Sequence, residues 1–172
     1  MPTSRKRQRL DGSAAGFPPT PGRIDSSPAP EPEQLAPATT VMKPATPQSS
    51  MEDTVLWLVN EVRRKAGLRK LRSDERLRAA ARNHSKDMAR RDFCEHVNPD
   101  GVTPVQRMSA AGYPDPGAEN VARGQPNPHA VMTAWLASPG HRANLLNPDF
   151  AAIGIGVELG RGGPHWTQNF GY

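Results

Sequence analysis

The chain has one cysteine, Cys94, in 172 residues. That excludes an intrachain disulfide, so the fold must hold by packing alone. One thiol fits a reducing compartment, and its setting reads as a small half-buried hydrophobe rather than a nucleophile. No stretch approaches the ~20 apolar residues that a membrane-spanning helix needs. The first residues also lack the apolar core of a secretory signal peptide, because Gly, Ser and Pro follow the cluster Arg5-Lys6-Arg7-Gln8-Arg9. Aromatic residues are few (3 Trp, 2 Tyr and 4 Phe). None falls between residues 63 and 91, where the basic residues concentrate, so that region offers no stacking platform for nucleic-acid bases.

What is present is uneven. Ten of the 19 prolines lie in residues 1–50, with Ser, Thr, Ala and a single aromatic, Phe17. Such a segment buries too little apolar surface to offset its chain entropy, and it reads as disordered. The folded unit is then residues 51–172, one domain with one core. Met51 is a second candidate start. The net charge is +5. Twelve basic residues lie from Arg63 to Arg91, against the three acidic residues Asp74, Glu75 and Asp87. This run is an expected surface for anionic partners, and the plainer alternative is a solvated helix face. The Arg5–Arg9 cluster is a candidate nuclear-localisation or nucleic-acid arm, against a merely solvated charged terminus.

Hydrophobic spacing sets the elements. Val55, Leu58, Val59 and Val62 predict a helix from Thr54 to Ala66, ended by Gly67. Ser73 is the expected N-cap of a second helix reaching Arg91, with a stripe of Leu77, Ala80, Ala81, His84 and Met88. His84 on that stripe reads as a hydrogen-bonded core histidine. Thr103 and Pro104 open a short helix to Ala111, and Glu119 to Arg123 is a short strand. Pro128 opens a helix carrying Val131, Trp135 and Leu136, stopped by Pro139-Gly140, with one more turn after His141. Ile153, Ile155 and Val157 alternate with Gly154, Gly156 and Glu158, which is strand spacing. The two glycines share a face, which implies close approach by another backbone or a cleft floor. A Gly-rich loop leads to a closing strand with Trp166, Gln168 and Phe170. The layout is α+β.

Three polar residues stand beside turns: His96, Glu119 and His141. Two imidazoles and a carboxylate suit zinc with an open coordination position. They equally suit a carboxylate that orients a histidine for acid–base work, or that satisfies buried polar groups. Ser138 lies three residues before His141, but no nucleophile-elbow sequence surrounds it.

The ordered motifs Val59-Asn60-Glu61-Val62-Arg63, His84-Ser85-Lys86-Asp87-Met88, His96-Val97-Asn98-Pro99-Asp100-Gly101, Glu119-Asn120-Val121-Ala122, Trp135 through Asn144, Gly154-Ile155-Gly156-Val157 and Trp166-Thr167-Gln168-Asn169-Phe170-Gly171 resemble the CAP superfamily in its short bacterial form. That superfamily comprises cysteine-rich secretory proteins, antigen 5 and plant pathogenesis-related proteins. The resemblance spans Thr54 to Tyr172. It implies an α-β-α sandwich with a small antiparallel sheet between helical layers, and a cleft lined by a His/Glu tetrad. By motif the tetrad members are His96, Glu119 and His141, with Ser138 where other members have a second glutamate. The resemblance also implies secretion, which the missing signal peptide and cysteines oppose. The expected function is a non-enzymatic cleft that binds a divalent metal such as zinc, or a small ligand such as a lipid or sterol. A metal-dependent hydrolase using His96, Glu119 and His141 is the alternative, and a nucleic-acid-binding protein is the third reading.

Overall fold

The computed structural model describes residues 46–172. The Arg5–Arg9 cluster, Phe17 and nearly all of the Pro-rich segment lie outside the described residues.

Helix α1 spans Pro47–Lys65 and begins a full turn and more before the expected Thr54. The cause is a capping box. Thr46 accepts from the Ser49 N–H, the Ser49 side chain returns to the Thr46 backbone, and Pro47 fills the first helical position. The helix buries Glu52, Val55, Val59 and Arg63. It stops at Gly67, whose φ of 72° lies in the left-handed region.

Strand β1 is the pair Arg72–Ser73, a stretch expected to be loop. Ser73 is therefore not a cap. Asp74 next to it takes that role, accepting from the Arg76 N–H at 3.0 Å. Arg76 also holds the Asp74 carboxyl well below the usual carboxylate range. Helix α2 (Glu75–Arg91) buries the expected stripe of Leu77, Ala80, Ala81, His84 and Met88, together with Ser85. Helix α3 (Pro104–Ala110) opens on Thr103, as its sequence indicates. Strand β2 covers Pro116–Arg123, and helix α4 covers Pro128–Ala137 with Asn127 as cap.

Pro139 does not end in a loop. It occupies the first turn of a new helix, α5 (Pro139–Leu145), and the break is the extended residue Ser138 between the two helices. Strands β3 (Ala152–Glu158) and β4 (His165–Gly171) complete the chain.

The sheet order is β1-β3-β4-β2. The three long strands are antiparallel, as expected, while β1 adds a short parallel edge to β3 and makes the sheet mixed. Helices cover both faces. One face of β3 carries Gly154 and Gly156, and the backbone of α2 lies directly on it. A Cβ on Gly154 would stand 2.1 Å from Arg78 N and from Leu77 C, and one on Gly156 would stand 2.3 Å from Arg82 N. The other face builds the main core with α1 and α4, from Val55, Val59, Val131, Trp135, Ile153, Ile155, Trp166 and Phe170. Trp135 is 1 % exposed, and its Nε1–H donates to the Val121 carbonyl at 3.2 Å. A smaller cluster of Leu77, Ala80, Met108, Tyr113 and Ala152 ties α3 to α2.

Candidate functional site

The site forms where β2, α5 and the segment after α2 meet. Pairing of β2 with β4 sets Glu119 opposite Asn169 and Asn120 opposite Gln168. Asn120 faces α5: its Nδ2 donates to the His141 carbonyl at 3.3 Å, and its Oδ1 accepts from Asn144 at 2.9 Å. These bonds fix the first turn of α5, which carries His141, against β2.

Glu119 is buried at 6 % exposure. A carboxylate in that position needs partners, and it has them. Its Oε1 accepts from His96 Nδ1 at 3.0 Å. Its Oε2 accepts from Arg107 Nη2 at 2.8 Å. Asn169, in the amide orientation that satisfies both its atoms, is the third donor to the carboxylate, reaching Oε2 at 3.1 Å. His84 stands close by, with Nε2 4.0 Å from Oε1.

The three imidazoles differ. The hydrogen bond to Glu119 raises the His96 pKa, outweighing partial burial. Burial lowers that of His141, and His96 nearby lowers it further. Burial also lowers that of His84, whose Nε2 meets the Glu95 carbonyl at 2.9 Å. His84 is thus the hydrogen-bonded core histidine its position indicates, and it is also a neighbour of the carboxylate.

His96 and His141 share an open cleft of about 560 Å³, walled by Cys94, Glu95, Val97 and Val121. Cys94 is partly buried, and burial pushes its thiol pKa up, away from nucleophile character. Ser138, expected in the cleft, does not line it. It is the hinge between α4 and α5, and its side chain makes no capping bond.

The expected zinc set of His96, His141 and Glu119 does not fit this arrangement. Among the described residues, no three His, Cys, Asp or Glu side chains are grouped to hold a metal ion. Glu119 is the reason. Its oxygens face a guanidinium and an imidazole, and a cation at 2.8 Å already balances its charge.

Arg107 is the functional residue that sequence reasoning misses. Besides Glu119, it donates to the Val102 carbonyl at 2.8 Å and to the His96 carbonyl at 2.7 Å, fixing both ends of the His96 segment. No local motif marks it.

In the basic run from Arg63 to Arg91, seven of the twelve cations pair with carboxylates. Arg63 is fully buried and binds the carbonyls of Arg69, Leu145 and Asn147. Arg64 pairs with Glu61, Arg72 and Arg76 with Asp74, Arg78 with Asp53, Arg82 with Glu52, Arg90 with Asp87, and Arg91 with Asp100.

Residues 56–170 match the pattern of the cysteine-rich secretory protein family, CAP. The chain belongs to that family. The uncharacterized protein YkwD of Bacillus subtilis is 41 % identical over 124 residues, covering 71 % of this chain and 47 % of that protein. Among solved structures, an extracellular protein of Bacillus anthracis containing an SCP domain superposes with a TM-score of 0.67 and 31 % identity, covering 75 % of this chain and 44 % of that one. An outer surface protein of Borrelia burgdorferi gives 0.65 and 25 %, over 71 % of this chain and 92 % of that one. This CAP chain thus spans less than half the length of both Bacillus proteins. No helix among the described residues is long and apolar enough to cross a membrane.

Proposed function

We propose that this CAP domain is a non-enzymatic binding module whose His96/His141 cleft takes a small organic ligand. One observation carries the reading: both oxygens of Glu119 are engaged, by His96, Arg107 and Asn169. A carboxylate so engaged serves to orient. It fixes His96 through Nδ1 and leaves Nε2 as the ring nitrogen available to a ligand. Val97 and Val121 supply apolar wall, and the imidazoles supply the few convergent polar groups typical of such sites. A ligand with an apolar body and a hydrogen-bonding head, such as a lipid or sterol, matches that lining. The Bacillus anthracis relative is an extracellular protein and the Borrelia one an outer surface protein, which supports a ligand met outside the cell.

A second reading has its own support. His96 and His141 have pKa values moved in opposite directions within one cleft. Such a split suits an acid and a base, and hence hydrolysis. The two readings separate cleanly in experiment. Native mass spectrometry of the full chain, purified from its own cells, is compared with the His96→Ala/His141→Ala variant. An organic adduct on the wild type that vanishes in the variant supports binding. A metal adduct with the same behaviour restores the zinc reading, and bare protein in both sinks ligand binding in this cleft. Hydrolysis of a casein or ester reporter that is lost in His141→Ala favours the enzyme.

A further inference from the structure

Ion pairing leaves some cations over, and most of them gather around the end of α1. Among the described residues, Lys65, Arg69, Lys70, Lys86, Arg142 and Arg161 are exposed and meet no carboxylate. Lys86 and Arg161 stand apart, on α2 and in the β3–β4 loop. The others are drawn together by the buried Arg63. Its Nε donates to the Arg69 carbonyl at 2.8 Å, and its Nη1 donates to the Leu145 and Asn147 carbonyls at 3.0 and 2.8 Å. One guanidinium thus joins the turn after α1 to the end of α5. Lys65 is the last residue of α1, and Lys70 follows Arg69. Bonded Arg64, and then Lys70 and Lys65, hold the Glu61 carboxyl below its ordinary value, which places both lysines near that side chain. Glu61 is matched by Arg64. The loop after α5 adds one exposed carboxylate, Asp149, so the excess charge here is positive.

Apolar surface lies at the same end. Arg142 and Leu146, one turn apart on α5, wall an open groove of about 340 Å³ with Leu136, Pro139 and Ala143. Leu146 sits between the two residues whose carbonyls Arg63 holds. The groove shares no lining residue with the His96/His141 cleft. On α1, Trp57 is 58 % exposed. Trp57, Glu61 and Lys65 succeed one another at intervals of four. One stripe of the helix therefore runs about 12 Å from an indole to the basic turn.

Charge and polarity together narrow the partner. The excess of cations calls for an anionic one. A soluble polyanion serves the cations but leaves the indole and the groove in water. A neutral apolar partner covers those and leaves the cations unmatched. An anionic bilayer serves both. Its phosphates meet the lysines and arginines, and its interface is where the amphipathic indole of tryptophan is most stable. Long basic side chains also lay their stems on apolar surface while their heads reach the phosphates.

We propose that the face formed by Trp57, Lys65, Arg69, Lys70 and the Arg142 groove docks on an anionic phospholipid bilayer, with the indole seated at headgroup depth. The contact is peripheral, and it is separate from ligand binding in the cleft.

The test is tryptophan fluorescence of the full chain with vesicles of phosphatidylglycerol and phosphatidylcholine. Trp135 and Trp166 are 1 % and 0 % exposed, so a change in emission reports Trp57. A saturable blue shift and protection from acrylamide are expected, weakened by salt and absent with phosphatidylcholine alone. Sedimentation with the vesicles measures affinity. Lys65→Gln/Arg69→Gln/Lys70→Gln should weaken it about a hundredfold, and Arg142→Gln about fivefold. These side chains are exposed, and Arg69 is held through its carbonyl, so both variants keep the fold. Equal binding to neutral vesicles, or binding unchanged in either variant, overturns the proposal. Binding that leaves Trp57 open to acrylamide overturns it too, because the Arg5–Arg9 cluster would then carry the contact. Absence of binding to the anionic vesicles also sinks it, and saturable binding of inorganic polyphosphate in that case makes the face a polyanion site.

Discussion

Arg107 and Glu119 form a buried ion pair, with Nη2 2.8 Å from Oε2 and side chains 11 % and 1 % exposed. The pair joins α3 to β2 and stands behind His96. Removing one partner of such a pair strands a charge, which costs more than the pair itself contributes. Arg107→Met is expected to lose about 3–5 kcal/mol in urea unfolding. The double variant Arg107→Met/Glu119→Gln should lose less than the sum of the two single changes. A loss below about 1 kcal/mol in Arg107→Met would show that Glu119 finds other partners or is solvated.

The histidines should titrate apart. His96 is expected above the ordinary value of about 6.5, and His84 and His141 below it. For His96 the folded pKa is raised, so its contribution to stability is full below about 6.5 and fades as pH rises through the folded value. For the other two the folded pKa is depressed, so their contribution is full above about 6.5 and is lost as pH falls through their folded values. Glu119→Gln removes the main cause of the His96 shift. NMR titration should find the His96 pKa lower in that variant, and the stability gap to wild type should be widest on the acid side of the raised pKa. An unmoved His96 pKa would assign its shift to another group.

Which parts were legible in the sequence follows from the range of each interaction. The glycines at 154 and 156 share a strand face, and period two indicates a close approach or a cleft floor there; only the structure shows that the backbone of α2 makes the approach. The α2 stripe and the cap at Thr103 are equally local. The start of α1 escaped because Thr46, Pro47 and Ser49 lie in a stretch whose composition reads as non-domain, and three residues of capping chemistry override that average. Pro139 was ambiguous in principle, since proline both ends one helix and begins another. Motif resemblance placed His96 and Glu119 together. Arg107 acts across twelve residues and between elements, and no spacing rule points to it.

The α2–β3 contact yields a sharp contrast between glycines. Gly154→Ala places a methyl 2.1 Å from backbone atoms of α2, and neither element can shift without disturbing the core. A loss of about 3 kcal/mol or more is expected. Gly140 in α5 has nothing within 4 Å of a built Cβ. Gly140→Ala should be neutral, or stabilising by up to about 1 kcal/mol through helix propensity. Thermal melts of the two variants check both values, and equal losses would mean that α2 sits farther from the sheet.

Two tryptophans give a second contrast. Trp135 is 1 % exposed in the main core, and Trp57 on α1 is 58 % exposed. Trp135→Ala should lose about 3–5 kcal/mol. Trp57→Ala should lose less than about 1 kcal/mol, as surface changes do. Tryptophan fluorescence reads the same difference: acrylamide should quench Trp57 and largely spare Trp135. A large stability loss in Trp57→Ala would mean that its face of α1 is covered in solution.

The N-terminal limit of the domain is the last test. The box of Thr46 and Ser49 caps α1, and the first turn precedes Glu52, which is fully buried and accepts from Arg82 on α2. A chain begun at Thr46 keeps all of this, and its stability should equal that of the full chain. One begun at Met51 loses the cap and the first turn, leaving Glu52 next to a fraying end. Its loss should be about 0.5–2 kcal/mol, the usual value of an N-cap. Urea unfolding of the three chains decides the matter. If the chain from Thr46 falls well below the full chain, residues before 46 contribute to the fold. If the chain from Met51 matches both, the helix needs neither its cap nor its first turn.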